Sequence, residues 1–273
     1  MRPMVRSESD VEGARAAAEL VVETHRALAR FLRDGLTLAE IDAFVGKTLE
    51  GFGASSCFYR YNPGRMPPFP SQSCLSVNEC VVHGTAGYLT RPLRQGDLLK
   101  VDIGVKYRGW IGDAAWTYSF GQPSEVNRRL MESGKESLRQ GVRQLRPGNT
   151  YMEWARTVQR VVEDKYGFHL IRGLGGHGYG RALHASPWIS NVVPSYPGEW
   201  PDGNLPCEPG TLIAVEPMIA VGTGQTRQGR KQWPIFVADG SMSVHYEHDV
   251  LISEHGPVVL TAGLEEIEDV ITR

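Results

Sequence analysis

Cysteine is scarce: Cys57, Cys74, Cys80 and Cys207 are the only four in 273 residues, and no two are spaced C-x-x-C. That spacing excludes a zinc ribbon, and with no secretory signal the expectation is reduced thiols in a cytoplasmic protein, not a disulfide framework. Blocks of one charge are missing too. Lys and Arg number 29 against 31 Asp and Glu, a formal charge of −2, so direct nucleic-acid binding through a basic face is not expected. No apolar run approaches the ~20 residues of a membrane span. The opening MRPMVRSESDVEGARAAAEL has neither the apolar stretch nor the cleavage site of a signal peptide. H-E-x-x-H, G-x-S-x-G and Walker motifs are likewise absent, which removes zincin, serine-hydrolase and P-loop readings.

What is present suits a soluble chain able to bury a core: 41% of the residues are hydrophobic and 22% charged. Residues 8–34 place Val11, Ala14, Ala18, Val21, Leu28, Phe31 and Leu32 at helical spacing, and Gly35 is expected to stop that helix. Thr37-x-x-Glu40 is a capping box that opens a second helix to about Gly51. Strands are expected near 54–61 and 73–77, on either side of a Pro-rich loop, then a hairpin over 99–121. A helix from Ser124 to about Leu145 is followed by GNTYMEWARTVQRVVEDKYGF (148–168), which parallels GLTLAEIDAFVGKTLEGFG (35–53). Either the chain is an internal duplication of two helix–helix–sheet halves or two common capping boxes coincide. Further strands are expected at 169–173, 183–192, 211–221, 233–238 and 243–252, with 194–210 a Pro/Gly loop. The pattern is one α+β catalytic domain over 1–273, pseudo-twofold, with an antiparallel sheet inside and helices outside.

The hairpin carries the chemistry. If Arg108-Gly109 is a two-residue turn, opposed residue numbers sum to 217, and Asp102 faces Ala115 with Asp113 diagonal to it on the same face. Val101, Ile103, Val105, Trp110, Trp116 and Tyr118 form the other, core face. Two carboxylates so placed are either solvated or share a cation or proton, because otherwise they repel. Three further stretches offer ligand-type residues: His177 in the glycine-rich loop GLGGHGYGRALHASP, Glu216 in the apolar run TLIAVEPMIAVG, and Glu247 in SMSVHYEHDVLIS. Each alone fits a structural ion pair. Together, four carboxylates and one imidazole without a thiolate suit two divalent first-row ions.

At this point a family becomes recognisable. SVNECVVHG (76–84), the Asp102–Asp113 pair, GGHGYGRALH (175–184), VEPM (215–218) and HYEHD (245–249) together resemble type I methionine aminopeptidases, in order and over about residues 8–254. The resemblance implies the pita-bread fold and removal of N-terminal methionine, with a small second residue preferred, by attack of a metal-bridging hydroxide on the first peptide carbonyl. It implies two divalent metal ions (Co, Mn, Fe(II) or Zn), with Asp113 and Glu247 bridging, His177 and Glu216 completing the first site and Asp102 holding the second. Glu216 would be the general base, and His83 and His184 would bind the substrate and the developing oxyanion. Cys74 and Trp233 would line the methionine pocket, and a monovalent cation would sit at Asn78, Cys80 and Ser243. The implied partners are the N-termini of nascent polypeptides, for a monomer in the cytoplasm; association with the ribosome is left open by the sequence.

Leu183, Ala185 and His245 depart from the family pattern, and the loop 59–72 is longer where the pocket wall should be, which leaves a related aminopeptidase with broadened specificity as an alternative. A non-catalytic peptide-binding relative is a second, against which stands the full ligand set. Prolidases typically carry a whole N-terminal domain, for which the 101 residues before Asp102 leave little room, and the 31 between His184 and Glu216 exclude the helical insertion of the type II enzymes.

Overall fold

Ser7 opens the first helix: its side chain accepts a hydrogen bond from the Asp10 amide, and α1 runs Glu8–Phe31 with Ala14, Ala18, Val21 and Leu28 buried along one face. The helix ends at Phe31, before Gly35, whose φ of +85° serves the turn that follows. Thr37 and Glu40 make the reciprocal bonds of a capping box at the head of α2, Leu38–Gly51. The computed structural model of the chain describes residues 4–64 and 66–273. Residues 1–3 of the polar start and Arg65 of the 59–72 loop lie outside the described residues.

In the second half, Ser124 caps α3 (Glu125–Val142), and α4 (Tyr151–Gln159) continues into a π-helical turn, Arg160–Lys165. The second Gly-x-Thr-x-x-Glu does not repeat the first one's cap. Thr150 is bridged to Pro206 and its side chain caps nothing, while Glu153 accepts from Arg156 at 2.7 Å. The helix–helix–sheet order of the two halves survives without that local bond.

The first-half strands are β1 (Ser55–Ser56), β2 (Cys74–Val77), β3 (Cys80–Val82), β4 (Leu98–Tyr107) and β5 (Trp110–Phe120). Those after the helices are β6 (His169–Leu170), β7 (Gly175–Gly178), β8 (Ala185–Ser190), β9 (Leu212–Val215), β10 (Met218–Ala220), β11 (Thr226–Gln228) and β12 (Ile235–Val237). The last are β13 (Ser243–His245), β14 (His248–Ser253), β15 (Gly256–Val259) and β16 (Val270–Ile271). Pairing is antiparallel throughout these strands except where β16 runs parallel to β5.

The β4–β5 hairpin has the expected register, with Tyr107 opposite Trp110 and Asp102 opposite Ala115. Arg108 (φ 48°) and Gly109 (φ 80°) supply the two positive φ angles that a two-residue turn matching strand twist demands. Val101, Ile103, Val105, Trp116 and Tyr118 join a core cluster that also takes Val21, Leu138, Trp154, Ile213 and Val250 from the helices and the second sheet. The aspartate face is not wet. Lys100, Asp113, Ala115 and Thr117 are all buried, because β13 and β14 lie over it.

Two expected strands are each broken, at matching levels. The run 211–221 splits into β9 and β10 at Glu216-Pro217, and 243–252 splits into β13 and β14 at Tyr246-Glu247. Since Val215 pairs with His248 and Met218 with His245, the breaks sit side by side. Pro217 has no amide hydrogen for a ladder bond, so a break there loses nothing.

Candidate active site

The paired breaks decide where the glutamates go. Glu247 leaves the sheet at its break, and its amide donates to Ala115 O of β5 at 2.9 Å, tying the second sheet to the aspartate hairpin. One residue pair away, the Asp113 amide donates to Asp249 Oδ2 at 2.8 Å. His177 is not in a loop, as its glycine-rich surroundings led one to expect. It lies on β7, opposite Ala214 of β9 and Trp188 of β8. A Cβ on Gly176 would stand 2.1 Å from Ala214 O, so only glycine lets β7 press this close.

The structure brings all five expected ligands into one cavity of about 270 Å³. Ligand atoms of Asp113, His177 and Glu247 lie within 4.8 Å of one another, and so do those of Glu216, His245 and Glu247. His177 Nε2 is 3.8 Å from Asp113 Oδ2. Asp102 lines the same cavity and falls in neither three-residue group; it meets the carboxyl of Asp113 and the thiol of Cys74 across β2. His245, noted in the sequence only as a departure, stands 3.1 Å from Glu216 Oε2 and 3.9 Å from Glu247 Oε2.

The electrostatics of this group are one-sided. Burial lifts Asp102 to about 7 and Glu216 to about 8, and burial with the neighbouring carboxylates pushes Asp113 and Glu247 well above the usual range. Burial also lowers His177 to about 3 and His83 and His245 to about 4, so these imidazoles are neutral at pH 7 with lone pairs free. Among the described residues, the only ion-pair partners of these carboxylates are histidines, never lysine or arginine. Asp102 Oδ1, Asp113 Oδ1 and His245 Nε2 are buried without a hydrogen-bond partner. Buried carboxyls and orphaned polar atoms converging with no lysine or arginine beside them are what a divalent-metal donor set looks like before the ion is added, so the residues fit the group.

The rest of the cavity is apolar with a polar end. Phe58, Phe69, Leu183 and Trp233 form walls with Cys74, and His83 and His184 reach in. His83 adopts φ +57°, and the following Gly84 could carry no Cβ, which would fall 2.1 Å from Leu75 O. His184 Nδ1 is 2.9 Å from the Tyr61 hydroxyl, and its ring centre is 4.3 Å from that of His177. The long 59–72 loop supplies Tyr61, Pro63 and Phe69 to the wall, and Pro67 O accepts from Trp233 Nε1 at 3.0 Å.

The expected monovalent-cation residues do converge, with Ser243 Oγ donating to Asn78 O at 2.7 Å and lying 3.4 Å from Cys80 O. Lys100 reaches the same cluster. Its side chain is buried on the aspartate face and its Nζ donates to Asn78 O at 2.6 Å, so that carbonyl already holds a tethered amino group. Sequence reasoning also passed over Tyr61 and Asp249. For Asp249 a signal existed: a second acid two residues after Glu247, in step with it along the strand expected over 243–252.

Residues 12–254 match metallopeptidase family M24. The chain is 33% identical to methionine aminopeptidase 1 of Bacillus subtilis over 247 residues, 90% of this chain and 94% of that one. The solved methionine aminopeptidase of Thermotoga maritima superposes with a TM-score of 0.85 at 30% identity, covering 95% of this chain and 99% of that one. An X-Pro aminopeptidase from Thermotoga maritima shares the fold at 21% identity and TM-score 0.73, with 98% of this chain matching 64% of that one.

Proposed function

This chain belongs to metallopeptidase family M24, and from that premise we propose that it hydrolyses the peptide bond after an N-terminal methionine, on newly made chains whose second residue is small. The observation that carries the reading is the convergence of Asp102, Asp113, His177, Glu216 and Glu247 on one cavity with, among the described residues, no lysine or arginine paired to them. These five would hold two divalent ions (cobalt, manganese, iron(II) or zinc), which when bound would lower the pKa of a water and polarise the scissile carbonyl. Glu247 belongs to both three-residue groups, which suits it, with Asp113, to serve both ions.

Glu216 takes the proton of the attacking water and returns it to the departing amine nitrogen, as C–N cleavage requires. Its position in a strand break, with Asn191 Nδ2 donating to its backbone carbonyl at 2.9 Å, keeps the carboxyl aimed into the cavity. His184 and His83 are neutral donors to the carbonyl oxygen as it gains charge. The Tyr61 hydroxyl, 2.9 Å from Nδ1, is placed to donate to it, the arrangement that would leave the His184 proton on Nε2 for substrate. An unbranched thioether fits the wall of Phe58, Phe69, Cys74 and Trp233, and a volume near 270 Å³ suits one side chain with its adjoining peptide, not a long segment.

The test is a peptide panel with metal-loaded protein. Methionine should be released from Met-Ala-Ser and not from Met-Lys peptides. Equal release from Leu- or Phe-initiated peptides would remove the methionine specificity, and no release from any would favour a peptide-binding role.

A further inference from the structure

We infer that His245 is itself a ligand of the metal centre, on the ion it shares with Glu216 and Glu247, so that each of the two ions has one imidazole and Glu216 goes with His245 and not with His177, where the resemblance put it. The inference rests on the dinuclear reading above and adds a sixth protein ligand to it.

Distances carry the first part of the argument. With metal–ligand bonds of roughly 2.1 Å, two atoms on one ion stand roughly 3.0 Å apart at a right angle and at most roughly 4.2 Å apart when opposed. His245 Nε2 lies 3.1 Å from Glu216 Oε2 and 3.9 Å from Glu247 Oε2. Both separations fall inside that window, as does the 3.8 Å between His177 Nε2 and Asp113 Oδ2.

The second part is what His245 does not do. Its side chain is 2% exposed, so water does not satisfy it, and Nε2 has no hydrogen-bond partner despite the nearness of Glu216. The nitrogen and the carboxylate are close without being hydrogen-bonded, and both have a Glu247 ligand atom within 4.8 Å. A buried polar atom left in this state calls for an explanation, and a shared ion supplies one.

The third part is rigidity. The His245 amide donates to Thr117 Oγ1 at 3.0 Å, and that hydroxyl donates back to the His245 carbonyl at 2.7 Å. Met218 pairs with His245 from the opposite side. The residue is therefore fixed against β5 and β10 together, in the strand end that abuts Glu247. A nitrogen added to an otherwise all-oxygen second site shifts its preference from manganese and magnesium toward cobalt and zinc.

X-ray absorption on the zinc-loaded wild-type protein counts imidazoles directly and needs no variant. Two per pair of ions is expected; one per pair overturns the inference while leaving the dinuclear reading intact. Failure to bind two ions at all would instead strike that reading. As a second arm, cobalt(II) titration of His245→Gln should weaken one of the two ions by more than the roughly 10- to 100-fold that loss of a supporting hydrogen bond produces, and should alter its ligand-field spectrum. His177→Gln should affect the other ion. Two cobalt ions bound to His245→Gln with wild-type affinity and spectrum would overturn the assignment.

Discussion

Tyr61→Phe removes one hydroxyl and leaves the ring in place among the cavity walls. The hydroxyl's partner is His184 Nδ1 at 2.9 Å. A neutral hydrogen bond contributes a net of about 0.5–1.5 kcal/mol, which corresponds to about 2- to 13-fold in a rate constant. Because the bond fixes which His184 nitrogen carries the proton, the loss should appear in kcat and kcat/KM together, with KM little changed. Stability should move less: at most about 1.5 kcal/mol, or a few degrees in Tm for a chain of this size. The assay is steady-state release of methionine from Met-Ala-Ser, run as a double-mutant cycle with His184→Asn. If Tyr61 acts through His184, the double variant is no slower than His184→Asn alone. A wild-type rate for Tyr61→Phe, or losses that simply multiply in the double variant, would refute the reasoning.

Three other outcomes follow from particular contacts. Glu216→Gln should still bind peptide but lose at least about 100-fold in kcat, the scale of a positioned proton acceptor, and a wild-type rate would remove it as the base. Because Lys100 already occupies Asn78 O, potassium at constant ionic strength should not activate the wild-type protein; a several-fold activation would show that the carbonyl cluster takes a free ion. His25 is buried between the Tyr118 hydroxyl and Ala114 O, and burial lowers it to about 4. A depressed folded-state value means its stabilisation is present above the ordinary histidine range and is lost as pH falls from about 6.5 through about 4, on the order of 3 kcal/mol in all. Tm should therefore fall more steeply over that window in wild type than in His25→Leu, and parallel curves would contradict this.

The hairpin was legible because its determinants are local. Arg108-Gly109 could take two positive φ angles, period-two alternation then fixed the register, and the register put Asp102 and Asp113 on one face. Thr37 and Glu40 were equally local. Thr150 and Glu153 have the same spacing, yet Pro206, fifty-six residues away, claims the backbone of Thr150, and no pattern in the helix reports that. The strand bearing His177 was hidden because alternation needs side chains to show itself, and here glycines allow three strands to crowd together. Lys100, Asp249 and His245 escaped for another reason. Asp249 and His245 owe their settings to β5, more than a hundred residues away, and Lys100 to the Asn78 carbonyl, which its side chain reaches across the face.

Metal dependence is the central claim, and a titration tests it most directly. Protein stripped with chelator, with metal content measured on the same sample, is assayed on Met-Ala-Ser as divalent ion is returned in known equivalents. The structure predicts no methionine release from the stripped protein and a rise that saturates at two ions per chain. Full turnover by metal-free protein, unmoved by added chelator or added ion, would contradict it.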